Sequence, residues 1–263
     1  MMSRSHSHED AARRTPPFLS PKHCMKFGIW NVRSLNDPVK GPKLAKEMDR
    51  YKIDTLGVAE SRYTGSDRIS IEDKQVLFSG REDGRKTHGV ALFCSSFAAK
   101  CLESWEPINE RLLTARFTGK TGNLSVVVCH APTEVATSAD KDTFYQQLQA
   151  LLACIPNGDM VLILGDMNAK VGTSMPGDGA VTGQHGLGVR NDNGCRLVDS
   201  CQQNGLAIGG TIFPHKEIHK GTWRSPDGST VNQIDHICIS QRHRKCLVDV
   251  RAMRGADLGL SDH

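Results

Sequence analysis

From Met25 onward, apolar and polar positions recur with two periods, one fitting strands and the other helices. Lys26–Trp30 reads as a strand. Pro42 then suits the first turn of a helix whose Leu44, Met48 and Tyr51 share one face. Thr55–Ala59 is apolar throughout and reads as a buried strand stopping at Glu60. Val76–Phe78 and Val90–Cys94 read as strands on either side of a polar loop, Gly80–Gly89. Leu113–Phe117 and Leu124–Cys129 predict a hairpin, with Gly119 and Gly122 permitting a tight turn. Asp140 is the expected cap of a helix with an apolar stripe of Phe144, Leu148, Leu151 and Leu152. Asn157-Gly158 turns the chain into a strand over Met160–Leu164. A Gly-rich loop follows from Gly172 to Gly188, without the Gly-Lys-Ser/Thr ending of a phosphate loop. Asn193 is the expected cap of a last helix carrying Leu197, Val198 and Cys201. Short strands follow over Leu206–Ile208, Thr222–Arg224 and Gln233–Ile239. Consecutive strand pairs interleaved with helices predict packed sheets covered by helices, not one doubly wound parallel sheet.

Composition narrows the class without naming a function. At 263 residues the chain has room for one large α/β domain, and 38% hydrophobic with 24% charged residues is ordinary for a globular protein. A net charge of +4 permits a polyanionic partner without demanding one. No apolar run approaches the ~20 residues needed to cross a bilayer. Residues 1–24 are rich in His, Arg, Ser and Pro and read as a disordered tail ahead of a domain over 25–263. They lack the apolar core of a secretory signal, so an intracellular protein, nuclear or cytoplasmic and not secreted, is expected, with no membrane partner and a monomeric domain. Its nine cysteines are scattered with no Cys-x-x-Cys pair, which favours reduced, packed thiols.

The candidate chemistry sits where apolar runs end. Val161–Leu164 stops at Gly165 and then presents Asp166 and Asn168, two apart and so directed to one side. That pair suits a water-orienting carboxylate with a phosphate-binding amide, and equally an Asx-turn closing a strand. Glu60 could ligate Mg²⁺ or be a solvated strand-end acid. Trp30-Asn31, Asn232-Gln233-Ile234-Asp235-His236 and Ser261-Asp262-His263 are further polar residues at such ends. Within Asp235-His236, one residue should face the site and its neighbour the core. Ends meeting at one edge would mix carboxylate, amide and imidazole, a set suited to a hard divalent cation and a phosphate ester.

Taken in order, Trp30-Asn31, Glu60, Gly165-Asp166-Met167-Asn168, Gln233-Ile234-Asp235-His236 and Ser261-Asp262-His263 resemble the endonuclease/exonuclease/phosphatase superfamily, over nearly the whole chain from Met25. Thr222-Trp223-Arg224-Ser225-Pro226-Asp227-Gly228 and Arg190-Asn191-Asp192-Asn193-Gly194 followed by Leu197 look like its endonuclease-like group, found in retrotransposons and craniofacial development protein 2-like proteins. The resemblance implies a four-layer α/β/β/α sandwich and a Mg²⁺-dependent (or Mn²⁺-dependent) phosphodiesterase, expected to be a DNA endonuclease that nicks one strand. It implies that Glu60 binds the metal with help from Asn31, with Asp262 near the metal or the water. Asp166 would orient or activate the attacking water and Asn168 hold the phosphate. Asp235 would orient His263, which contacts the phosphate. A phosphatase or lipid phosphodiesterase of the same fold, or an inactive interaction domain, are the alternatives.

Three departures from the family pattern stand out. His130, in Cys129-His130-Ala131-Pro132-Thr133, occupies the place of the usual tyrosine; an imidazolium there can still donate to a phosphate oxygen. Arg33 stands where many nucleases carry an acid or amide. The family continues through another strand after Ser261-Asp262-His263, so a C-terminally truncated domain lacking its final strand is expected. Substrate contact is expected from Arg33, Arg62, Asn191, Asn193, Trp223 and Arg224, with Lys86, His88, Arg190 and Lys220 near the same loops.

Overall fold

A computed structural model describes residues 24–256 and 261–263, so the expected tail lies, apart from Cys24, outside the described residues. The chain opens with β1 (Phe27–Asn31), α1 (Lys40–Tyr51) and β2 (Thr55–Ala59). Strands β1 and β2 run parallel, with Asn31 level with Ala59, so the helix between them is the crossover that a parallel pair requires. Then come β3 (Ser66–Ile71), β4 (Lys74–Ser79), β5 (Val90–Cys94) and the short α2 (Ser96–Cys101). The first sheet has the order β1-β2-β5-β4-β3.

The second sheet is built from β6 (Leu102–Asn109), β7 (Leu112–Phe117), β8 (Leu124–His130), β9 (Met160–Asp166), β10 (Leu206–Ile208) and β13 (Asp235–Ser240). Its order is β10-β13-β9-β8-β7-β6. Helix α3 (Ser138–Cys154) crosses between the parallel β8 and β9, and α4 (Asp192–Gln203) precedes β10. A separate two-stranded ribbon pairs β11 (Trp223–Arg224) with β12 (Val231–Asn232).

Side-chain alternation along the strands makes the four layers. Val126 and Val128 of β8, and Leu162 and Leu164 of β9, pack between the sheets against Leu77 and Leu92. Their neighbours Val127, Cys129 and Ile163 face the other way, onto Phe144 and Leu148 of α3 and Leu197 and Cys201 of α4. On the far side, Leu44 and Met48 of α1 cover Val58, Val76 and Phe93 of the first sheet. This is the α/β/β/α sandwich that the motif resemblance implied. No helix among the described residues is long and apolar enough to cross a membrane.

The elements missed by periodicity are edge strands and a short helix. β3 has the sequence Ser-Asp-Arg-Ile-Ser-Ile and is mostly exposed; only Ile69 and Ile71 pack, part-buried, on the core under α1, too short an alternation to stand out. β6 carries Pro107 and two register shifts, both tolerated at a sheet edge. Helix α2 has only six residues, capped by the Ser95 side chain. Two caps also differ from expectation. Thr137, not Asp140, caps α3, and Asn191, not Asn193, caps α4.

The sheets approach closely near the future site. A Cβ added to Gly57 would stand 2.9 Å from Leu164 Cβ and 3.3 Å from Ile29 Cδ1. Gly57 lies three residues before Glu60, and Leu164 two before Asp166, so this contact sets how the two acids face each other. Gly57→Ala is expected to overpack the interface and cost about 1–3 kcal/mol. A urea melt should show a lowered midpoint; an unchanged one would mean that the sheets are free to separate there.

Candidate active site

The two parallel pairs bring four strand ends to one edge. Asn31 ends β1, Glu60 follows β2, His130 ends β8 and Asp166 ends β9. Register levels them within the second sheet: His130 is opposite Asp166 on one side and Asp235, the first residue of antiparallel β13, is opposite it on the other. Asp235 faces the site. His236 points into the core, where its Nε2 and the Ala169 carbonyl are 2.7 Å apart.

Asn31 joins the sheets. Its buried amide Nδ2 donates to Glu60 Oε1 at 2.9 Å and to Asp166 Oδ2 at 2.8 Å, and its Oδ1 accepts from the Arg33 backbone at 3.0 Å. Asp166 Oδ1 accepts from the Asn168 backbone at 3.1 Å, while Asn168 Nδ2 donates to the Ala131 carbonyl at 3.0 Å. The last residues are tied to this frame. Ser261 Oγ donates to the Asn31 carbonyl at 2.6 Å, and Trp30 Nε1 donates to the His263 carbonyl at 3.1 Å. His263 Nδ1 lies 2.8 Å from Asp235 Oδ2, which turns Nε2 toward Asp166 Oδ2 at 3.9 Å. That gap is too long for a direct hydrogen bond and leaves room for a bridging atom.

Electrostatics separates the groups by role. Burial, reinforced by the Asp235 charge, pushes the Asp166 carboxyl up to about 7. Burial alone would lower His263, but the charge and hydrogen bond of Asp235, with Asp166 and Asp262 behind them, raise it to about 9. His130 goes the opposite way: burial first, then the Arg111 charge, push it down to about 3, so its ring is neutral. Burial would also raise Glu60; the Asn31 and Arg62 hydrogen bonds outweigh it and hold that carboxyl below its ordinary value.

Backbone strain gathers at the same place. Of the eight non-glycine residues with positive φ among the described ones, Arg33, Glu60, Arg62 and Asn168 line the cleft. Each such conformation costs about 1–3 kcal/mol and persists only where its surroundings impose it.

The cleft, of about 480 Å³, is lined by Asn31, Glu60, His130, Asp166, Asn168, Asp262 and His263, with Arg33, Arg62, Asn191 and Trp223 at its walls. Asp235 reaches it through His263. Asp262 Oδ2 accepts from Trp223 Nε1 at 3.2 Å, and Arg33 Nη1 lies 3.6 Å from the same oxygen. Arg62 Nη2 donates to Glu60 Oε2 at 3.3 Å. Two expected substrate contacts stand elsewhere. Arg224 does not line the cleft, and Asn193 is fully buried, donating to the Pro132 and Asn168 carbonyls. Asn191 Oδ1 accepts from Gly194 and Lys170 backbones, so the Asn191–Asn193 pair braces the loop that carries Asn168. Arg190 is engaged by Asp178 at 2.5 Å.

Sequence reasoning passed over Lys170, which lines the cleft two residues after Asn168, a spacing that could have flagged it. It also passed over Arg111, whose Nη1 donates to the His130 carbonyl at 3.0 Å. Arg111 lies at the turn from β6 to β7, distant in sequence from every motif, and no local signal marks it.

The acids can hold a cation. Asp166, Asp235 and His263 offer ligand atoms within 4.8 Å of one another, and Asp235 Oδ1 and Asp262 Oδ1 are buried without a hydrogen-bond partner. Buried carboxylate oxygens without a hydrogen-bond partner are the kind of donor a hard divalent ion takes.

The chain matches the Endonuclease/Exonuclease/phosphatase family over residues 28–263. It is 40% identical over 243 residues to craniofacial development protein 2 of Tragulus javanicus, a match covering 92% of this chain and 41% of that protein. The chain thus spans about two-fifths of the length of the curated relatives it matches. Among solved structures, the 3' phosphatase NExo from Neisseria, bound to a product DNA hairpin, superposes with a TM-score of 0.66 at 18% identity, covering 91% of this chain and 96% of that one. The endonuclease domain of TRAS1, a telomere-specific non-LTR retrotransposon, gives 0.57 at 13% identity, covering 89% and 92%. At these identities the structures speak for the fold.

Asp235→Asn tests the electrostatic assignment. Without that charge, burial dominates at His263, and its imidazole pKa should fall from about 9 toward or below its ordinary 6.5. NMR titration of the ring reads this directly; a value still near 9 would place the cause elsewhere.

Proposed function

We propose that this chain, which belongs to the endonuclease/exonuclease/phosphatase family, hydrolyses DNA phosphodiesters with a divalent cation and nicks one strand. The observation that carries the reading is the His263–Asp166 pair: an imidazole and a carboxyl raised to about 9 and about 7, with Nε2 and Oδ2 3.9 Å apart across a cleft. Between those values Asp166 is ionised and His263 is charged, so one accepts a proton from water while the other donates to a phosphate oxygen.

Each remaining residue has a task in that frame. Asp166 orients the attacking water and takes its proton. Asn168, braced from behind by Asn191 and Asn193, holds the water and the scissile phosphate. Asp235 fixes the His263 tautomer by accepting from Nδ1, so that Nε2 carries the proton presented to the phosphate. Asn31 bridges the Glu60 and Asp166 carboxylates through one amide nitrogen and so holds both at the cleft. Glu60, with Asn31 and Asp262, would hold the cation, Mg²⁺ or Mn²⁺. A bound divalent ion supplies polarisation of the phosphoryl oxygen and offsets the charge that develops there. Arg33 and Arg62, both half-exposed at the rim, fit contacts to flanking phosphates, which carry affinity and salt dependence but no sequence information. Trp223, held through its ring nitrogen by Asp262, presents a half-buried face for stacking on a base.

DNA as the substrate is supported by the related fold that was solved with a product DNA hairpin, and by the two rim arginines. The test is nicking of supercoiled plasmid by the purified chain, in Mg²⁺ or Mn²⁺ and again with EDTA. Asp166→Ala and His263→Ala are each expected to lose roughly 10²–10³ in rate while remaining folded, as removal of one positioned charge-stabilising group typically does. Wild-type rates in either variant would refute the assignment, and cleavage that persists in EDTA would refute the cation.

A further inference from the structure

Among the described residues, three side chains of fixed positive charge line the cleft: Arg33, Arg62 and Lys170. Arg33 follows β1 and Arg62 follows β2, and each already faces a site acid, Asp262 at 3.6 Å and Glu60 at 3.3 Å. Lys170 follows β9 in the other sheet, and its half-buried side chain has no hydrogen bond or ion pair with any described residue. Glu134, an acid on the same cleft wall, is occupied elsewhere. Its carboxylate accepts from the Asp192 and Asn193 backbones and from Asn191 Nδ2, and Lys141 Nζ stands 3.9 Å away. The backbone that carries Lys170 is held residue by residue. The Asn168 carbonyl accepts from the Asn191 and Asn193 side chains, and the Ala169 carbonyl lies 2.7 Å from His236 Nε2. The Lys170 N–H donates to Asn191 Oδ1 at 2.9 Å, its carbonyl accepts from the Asn191 N–H at 3.1 Å, and the Val171 carbonyl accepts from Arg190 Nε at 2.9 Å. A Cβ on Gly194 would stand 1.9 Å from the Lys170 carbonyl oxygen, so glycine is needed for α4 to seat this closely. None of these contacts uses the Lys170 side chain. They fix where it starts and leave its ammonium free, as a preorganised ligand contact requires.

We infer that Lys170 binds the phosphate next to the scissile one, on the second-sheet side, so that the cleft takes an internal diester of a DNA strand and not a terminal phosphate ester. The inference rests on the hydrolytic reading above and deepens it. In that reading Asn168 and His263 hold the scissile phosphate, which leaves the Lys170 charge for its neighbour. Arg33 and Arg62 stand on the first-sheet side of the cleft and Lys170 on the other, so a strand lying across it meets cations both before and after the scissile bond. A terminal phosphate has a neighbour on one side only and would leave one of these walls unused. The ammonium of a lysine is a compact point charge on a flexible stem, which suits a phosphate contact that carries affinity without reading sequence.

The test is fluorescence-anisotropy titration of a labelled DNA duplex with the full chain, in EDTA and again in Ca²⁺, over about 50–200 mM salt, beside nicking kinetics. Lys170→Gln is expected to make the slope of log affinity against log salt shallower by about 0.9, so that its deficit against the wild type shrinks about 3-fold over that range, and Lys170→Arg to restore the slope. In nicking, Lys170→Gln should raise KM with kcat nearly unchanged, as loss of a contact made equally in the ground and transition states does. Lys170→Met serves the same test should Lys170→Gln misfold. Internal nicking should also outpace release of phosphate from a 3'-phosphorylated duplex end. An unchanged salt slope, or a kcat that falls as far as kcat/KM, would overturn the role of Lys170 while leaving the hydrolytic reading intact. Faster phosphate release from the duplex end would overturn the preference for an internal diester. A wild-type chain that neither binds duplex nor nicks plasmid would overturn both readings.

Discussion

The Asn31 amide is the interaction on which the rest of the site depends. One NH₂ group donates to Glu60 from the first sheet and to Asp166 from the second, so a single side chain ties the two layers together where they end. Two carboxylates brought this close would otherwise repel. The close contact behind the amide, between Gly57 and Leu164, limits how far the layers can slide. Packing thus sets the separation and one amide sets the orientation.

The electrostatic consequences follow from depth. Asp166, Asp235 and His263 are all nearly buried, and their mutual interactions therefore act with little screening from water. Asp166 rises through burial and the Asp235 charge, whereas at His263 the charge and hydrogen bond of Asp235, with Asp166 and Asp262, outweigh a burial that would lower it. His130 is driven the other way, by burial first and then by the cationic Arg111. Two histidines within one cleft are thereby given opposite charge states. The strained backbones of Arg33, Glu60, Arg62 and Asn168 accompany the presentation of short and long side chains on one concave surface, and the surrounding sheet and loop contacts offset that strain.

Much of this was legible in the sequence because buried strands leave a strong signal. Thr55–Ala59 and Met160–Leu164 announced themselves as apolar runs, and the polar residues at their ends were the natural candidates. Edge strands such as Ser66–Ile71 left no such signal, because one exposed strand can carry almost any residue. In the site, residue type identified chemistry but not orientation. Asn191 and Asn193 look alike from the sequence, yet the first caps a helix at the cleft wall and the second is buried behind it. The pairing of Asp235 with His263 and of Arg111 with His130 depends on contacts made across the whole chain, which no local pattern encodes.

If the two sheets contribute one catalytic unit, Glu60 and Asp166 do not act independently. The most direct measurement is a double-mutant cycle on plasmid nicking with Glu60→Gln, Asp166→Asn and the pair combined. The account predicts that either change alone removes nearly all activity and that the second adds little, the strong non-additivity of groups that act together. Losses that simply multiply, or a wild-type chain that cleaves nothing with a divalent cation present, would contradict it.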